Sequence, residues 1–272
     1  MSAMNVPFNH ANSERDVPYN LPLANPLERW NRLGTGWFGV ICELEGVIIP
    51  DLSLAHRSAW CSLAREENLQ LPLEYDMRHY QRLKAEQLVS QVFNWSHNSQ
   101  EINRLISRKY EILEEEIVAD SGCLLPGALE FLESILSLNI PCVLLTQERR
   151  QDVETFFSET SLKSYMSVEF SSSPSFKTGR GVFSLVTSDD VRFGLPDIEC
   201  ILLASSLLQR PIERIIFIGS SLQALEAARE LDVRCVMLSG NYKYWELCRA
   251  NLVVGGLKQI CFQNLKNLFH DA

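Results

Sequence analysis

The sequence predicts an α/β fold: a three-layer α/β/α parallel sheet, Rossmann-like, with an inserted helical cap domain. Three observations point there. Short β-rich apolar runs are each followed by a stretch of helical period, the rhythm of a parallel sheet wrapped by helices. Between the first and second runs lies a long, charge-rich helical interval with no alternating pattern. The chain has 272 residues, 46% hydrophobic and 22% charged. That is enough for one large core plus a smaller module.

Residues 1–34 mix both charge signs with Pro and Asn and carry no apolar core, so they read as an extended N-terminal arm and not as a secretory signal. Residues 35–52 and 121–272 form the α/β core, and 53–120 the cap. The first strand is Trp37 to Glu43. In the cap, Ala55, Ala59 and Leu63 share one helix face. Ile102, Leu105, Ile106, Tyr110 and Leu113 form a second stripe at helical spacing, with Glu114 to Glu116 at its solvated end. The core resumes with a helix over Ala128 to Leu138, stopped by Asn139, and a strand over Ile140 to Thr146. Arg214 to Gly219 is the next strand, followed by a helix over Leu222 to Leu231. Arg234 to Ser239 is another, and Asn251 to Val254 adds an edge strand. Ser171 to Gly181, rich in Ser, Pro and Gly, is a long loop outside this rhythm.

Net charge is -9, which repels phosphate backbones and anionic lipid, so neither nucleic acid nor membrane insertion is expected. No apolar run approaches the roughly 20 residues of a membrane helix. None of the eight cysteines forms a C-x-x-C pair, and most sit among apolar neighbours. They are expected to be buried thiols of a reducing intracellular compartment. The five histidines are scattered without zinc spacing. His56 follows the first strand and is within reach of a ligand there, but a position on the helix surface suits it better.

The first strand runs into Glu43-Leu-Glu45-Gly-Val47. Later come Leu144-Leu-Thr146, Gly194-Leu-Pro-Asp-Ile-Glu199 and Ile218-Gly-Ser-Ser-Leu-Gln-Ala-Leu-Glu-Ala-Ala-Arg229. In order and spacing these resemble the four motifs of the haloacid dehalogenase superfamily, specifically its β-phosphoglucomutase-like branch with a helical cap. Asn31 to Gly39, Ala85 to Ser96 and Ser188 to Val191 resemble a plant plastid branch of it. That branch includes phosphatases proposed for riboflavin synthesis, so the resemblance adds the chloroplast stroma as a candidate compartment.

The resemblance implies a set of roles. One aspartate attacks phosphorus and a second, two residues on, protonates the leaving oxygen. Magnesium is held by the nucleophile, the backbone carbonyl of the second acid and a carboxylate of the last motif. A Ser/Thr and a Lys bind the phosphoryl oxygens.

This chain departs from most of it. Glu43 stands at the nucleophile and Glu45 at the acid, each carboxylate about 1.5 Å further out. A misplacement of about 1 Å can cost on the order of a hundredfold in rate. Leu195 replaces the lysine, whose loss alone is worth about 3 kcal/mol by analogy with a deleted oxyanion donor. Gly219 and Ser220 replace the late acidic pair, and only Thr146 stands as in the motif. If magnesium binds, its candidate ligands are Glu43, Glu45 and Ser220; otherwise no cofactor is expected. Arg149, Arg150 and Arg192 are the nearby cations that could substitute for the lysine, although surface roles suit them better. Degenerate motifs favour a weakly active or non-catalytic protein that binds a small phosphorylated ligand or a protein partner. The alternative is a magnesium-dependent phosphatase of a sugar phosphate or a ribityl phosphate.

Overall fold

The computed structural model describes residues 37–73, 83–118, 124–159, 183–240 and 242–269. The N-terminal arm, the Ser171–Gly181 loop and Cys123 lie outside them. Six strands form one sheet: β1 (Gly39–Glu43), β2 (Cys142–Leu145), β3 (Ser184–Val186), β4 (Ile215–Gly219), β5 (Arg234–Leu238) and β6 (Leu252–Val254). Their order is β3-β2-β1-β4-β5-β6, and every pairing is parallel. β6 is the expected edge strand. β3 extends the opposite edge and was not foreseen; it follows closely on the Ser-, Pro- and Gly-rich stretch read as a loop.

Eight α-helices accompany the sheet among the described residues: α1 (Ser53–Glu66), α2 (Ala85–Gln87), α3 (Ser99–Val118), α4 (Ala128–Ser137), α5 (Arg150–Glu159), α6 (Glu199–Leu208), α7 (Leu222–Glu230) and α8 (Phe262–Asn267). Short 3-10 turns and one π-helical turn, Leu88–Val92, join them.

Alternation along the strands divides the core. Val40, Cys42, Leu144, Ile216 and Ile218 face a cluster completed by Phe131, Leu132 and Ile135 of α4 and Leu265 of α8. Ile41, Val143, Leu145, Ile215 and Phe217 face the other side, against α6 and α7. The strands are buried on both faces, which explains why they read as continuous apolar runs. Asn139 has φ 52°, the left-handed turn that ends α4, and it releases the chain into β2.

A third cluster is separate from the sheet. Ala59, Trp60 and Leu63 of α1 meet Ile102, Leu105, Ile106, Tyr110 and Leu113 of α3, with Leu88, Val89 and Phe93 between them. Both expected stripes are therefore buried faces. Arg104 with Glu67 and Arg108 with Glu66 tie the outer sides of α1 and α3 together. Exposed pairs of this kind contribute at most about 1 kcal/mol each.

Cys42, Cys142, Cys200 and Cys235 are buried free thiols as expected, but Cys248 and Cys261 are exposed. Both lie in irregular C-terminal segments, where local hydrophobicity does not decide burial. No helix among the described residues is long and apolar enough to cross a membrane.

Candidate active site

Because β1 lies between β2 and β4, the ends of these three strands bring Glu43, Thr146 and Gly219 to one edge of the sheet. Ligands of open α/β sheets bind at that carboxyl edge, where the strand order reverses. A cavity of about 450 Å³ opens there, lined by Glu43, Glu45, Thr146, Leu195 and Ser220 from the core side and by Lys84, Lys109 and Tyr110 from the helical side.

Glu43 is buried. Its Oε2 accepts from the backbone N–H of Ser220 at 2.6 Å and of Ser221 at 3.1 Å, and its Oε1 from the Ser221 hydroxyl at 2.7 Å. Ser221 is the N-cap of α7, its Oγ also accepting from the Ala224 N–H. Burial raises the Glu43 carboxyl above its ordinary range, against the lowering pull of these Ser221 and Ser220 donors. The Ser220 hydroxyl donates to the backbone carbonyl of Glu45 at 3.2 Å. Gly46, at φ 74°, turns the chain here, and a Cβ on it would overlap that hydroxyl.

Glu45 keeps partial exposure and accepts from the Thr146 hydroxyl, which in turn accepts from the Glu148 N–H at 3.0 Å. Burial of the carboxyl and the negative charge of Glu148 push Glu45 up to about 8, against the Thr146 hydrogen bond. Near neutral pH it is a protonated acid.

Leu195 is 2% exposed and packs with the α6 and α7 cluster, so the lysine position offers an apolar wall. Arg192 is exposed, and Arg150 pairs with Asp190 across the surface. Arg149 departs from the expected surface role. It lines the cavity, its guanidinium 3.7 Å from the Tyr110 ring centroid, and forks onto Asp152.

His56 is a correction. It is 1% exposed and not on the helix surface, because α1 packs that face against α3 and the loop after β2. Its Nδ1 lies 2.6 Å from Lys109 Nζ and its Nε2 3.0 Å from Glu148 Oε1. Burial lowers the His56 value, with Lys109 adding to the effect and Glu148 opposing it. With the Lys109 ammonium donating, Nδ1 must accept, which leaves the ring proton on Nε2, the side that faces the Glu148 carboxylate. Burial also lowers Lys109 to about 8. For Glu148, burial alone would raise the carboxyl, but His56, Lys109 and Tyr110 outweigh it and hold it at about 2.

Lys109, Glu148 and Lys84 escaped the sequence reading. Lys109 did leave a signal: with Leu105 and Leu113 it falls at four-residue spacing on the apolar stripe, where a charged residue needs an explanation. Glu148 gave none beyond its place two residues after Thr146.

The magnesium site that the resemblance implies does not fit these residues. Two of its groups, the carboxylate at 43 and the carbonyl at 45, accept hydrogen bonds from Ser220, and position 220 itself brings a hydroxyl where a carboxylate is needed. The expected ligand set Glu43, Glu45 and Ser220 is thus held together by its own hydrogen bonds. Among the described residues no group of three or more His, Cys, Asp or Glu side chains is placed to hold a metal ion.

Comparison with known proteins agrees with the fold. Residues 39–232 match the family model of haloacid dehalogenase-like hydrolases. Over 246 residues the chain is 32% identical to the chloroplastic 5-amino-6-(5-phospho-D-ribitylamino)uracil phosphatase of Arabidopsis thaliana. The match takes in 90% of this chain but 61% of that protein, so the chain spans about three-fifths of the length of its curated relative. A hydrolase from Pseudomonas syringae has a similar fold, with a TM-score of 0.64 at 23% identity over 85% of this chain and 98% of that one. So does a β-phosphoglucomutase from Clostridium difficile, at 0.65 and 18% over 86% and 97%.

Proposed function

The chain belongs to the haloacid dehalogenase-like hydrolase family, and from that premise we propose that it binds a small phosphorylated molecule while hydrolysing it very slowly or not at all. One observation carries this reading. Ser220 donates both to the Glu43 carboxylate and to the Glu45 carbonyl, so the groups the family gives to the nucleophile and its metal are tied into the fold. The donors from Ser220 and Ser221 fix the Glu43 carboxylate and withdraw electron density from both of its oxygens, which weakens it as a nucleophile. Leu195 adds no charge to a developing phosphorane. On this reading residues 53–120 serve as a cap that encloses the ligand, and a protein partner that senses the liganded state is an alternative user of the same cleft. The chloroplast is the proposed compartment, supported by the chloroplastic relative.

A second reading is favoured by that same relative: a magnesium-dependent phosphatase of a ribityl phosphate. Its support is the 32% identity and the retention of an acid at both positions of the first motif. Phosphate release from a panel of small phosphomonoesters, with and without magnesium and beside a Glu43→Gln control, separates the two. No release above the control from folded protein is the expected result. Magnesium-dependent turnover that disappears in the control would replace the first reading by the second.

A further inference from the structure

Lys84 immediately precedes α2, and its Nζ donates to the backbone carbonyl of Val191 at 2.5 Å. Val191 begins the stretch that carries Leu195, and Lys84 and Leu195 line the same cavity. The other two cations of that cavity are already committed. Lys109 is bonded to His56 in the field of Glu148, and Arg149 is forked onto Asp152. Among the described residues Lys84 has no carboxylate partner. An ammonium has three donors, and one on Val191 leaves two for a ligand.

We propose that Lys84 is the anion-recognition residue of the cavity, supplying from the helical side the positive charge that Leu195 withdraws from the core, and that it takes the phosphoryl group of a small phosphomonoester. The inference rests on the reading that the cavity holds a phosphorylated ligand, and it names the contact that selects one. The argument is electrostatic. Asp51, Glu86, Glu148 and Asp189 also line the cavity, so a dianion entering it needs a cation whose charge is not already cancelled. The hydrogen bond to Val191 fixes the stem and places the charge beside the segment that would otherwise carry the family's lysine.

The test is a titration of the full chain with inorganic phosphate, followed by phosphorus NMR at constant ionic strength set with chloride. Lys84→Gln is expected to weaken phosphate binding about tenfold or more, the effect of one charge-assisted hydrogen bond. Lys84→Arg, which keeps the charge, is expected to stay within about threefold of the parent on the same scale. Equal affinity in the parent and Lys84→Gln would overturn the assignment and leave the ligand-binding reading standing. An equal loss in Lys84→Arg would assign Lys84 the structural task of holding Val191, which also overturns it. Absence of saturable phosphate binding in the parent chain would overturn both.

Discussion

A Cβ built on Gly219 would lie 2.8 Å from Oε2 of Glu43. The longer acid at the end of β1 and the missing side chain at the end of β4 are therefore one packing solution. Glu43 reaches across to the first turn of α7 because residue 219 leaves the room, and there the Ser220 and Ser221 donors receive it. The edge of the Phe217 ring, 2.7 Å from the same point, fills the rest.

That relationship predicts coupling. Gly219→Ala is expected to destabilise the protein by about 1–3 kcal/mol through overpacking. Combined with Glu43→Asp, which shortens the obstructing side chain, the pair is expected to cost at least about 0.5 kcal/mol less than the sum of the two single changes. Urea unfolding of the four proteins in the cycle measures this. Strict additivity would mean the two positions do not share the space.

Glu45 predicts a pH dependence. In the unfolded chain its carboxyl titrates at an ordinary value near 4.5, whereas in the folded chain it holds its proton up to about 8. Between those values the folded state binds more protons, so this group's contribution to stability is full below pH 4.5 and is lost as pH rises through about 8. Thr146, Glu148 and Glu43 are the groups that set it. Glu45→Gln should remove this decline, seen as a difference between the urea midpoints of the two proteins that widens in favour of the variant from pH 6 to pH 8.5. Parallel pH profiles would rule out a retained proton on Glu45.

The Lys109–His56–Glu148 chain predicts a penalty of the opposite sense. Glu148→Gln leaves the buried Lys109 ammonium without its anion, and breaking a buried pair from one side costs about 3–5 kcal/mol. Relief of the repulsion on Glu45 offsets part of it. Because Lys109 loses its proton above about 8, the penalty is expected to shrink from pH 7 to pH 9. A loss that is the same at both pH values would show that packing, and not charge, holds this cluster together.

Reconstruction tests the catalytic departures as a unit. Glu43→Asp, Glu45→Asp, Leu195→Lys, Gly219→Glu and Ser220→Asp together are expected to give magnesium-dependent phosphate release at least about tenfold above the parent chain. Any single member is expected to give none, since residues that act as a unit contribute non-additively. Circular dichroism verifies folding first, because Leu195→Lys puts a charge in an apolar wall. A folded quintuple variant that is as inactive as its parent would place the block elsewhere in the cleft.

Much of this protein was legible in its sequence, and what was legible is local. Short continuous apolar runs located five of the six strands, and the period-3.6 pattern the buried faces of α1 and α3. Asn139 marked the end of α4 because few residues accept φ 52°. Glu43, Glu45, Thr146 and Leu195, all lining the cavity, came from the resemblance of four short motifs to the family. The sequence reading missed β3, which follows closely on the Ser-, Pro- and Gly-rich stretch read as a loop, and α6, whose near-continuous apolar sequence ECILLASSLL shows little alternation. It also placed His56 on the surface.

Only the tertiary structure decided where the charges are spent. Glu43 and Ser220 are 177 residues apart, and the parallel pairing of β1 with β4 sets their hydrogen bond. His56, Lys109 and Glu148 come from three separate elements, and Lys84 meets Val191 across 107 residues. A carboxylate's partner, and with it its protonation, depends on distance and burial, neither of which is written in neighbouring residues. The chain's own pattern specified the fold and the identity of its acids, while the folded cleft determined which of them are tied down and which charge is left for a ligand.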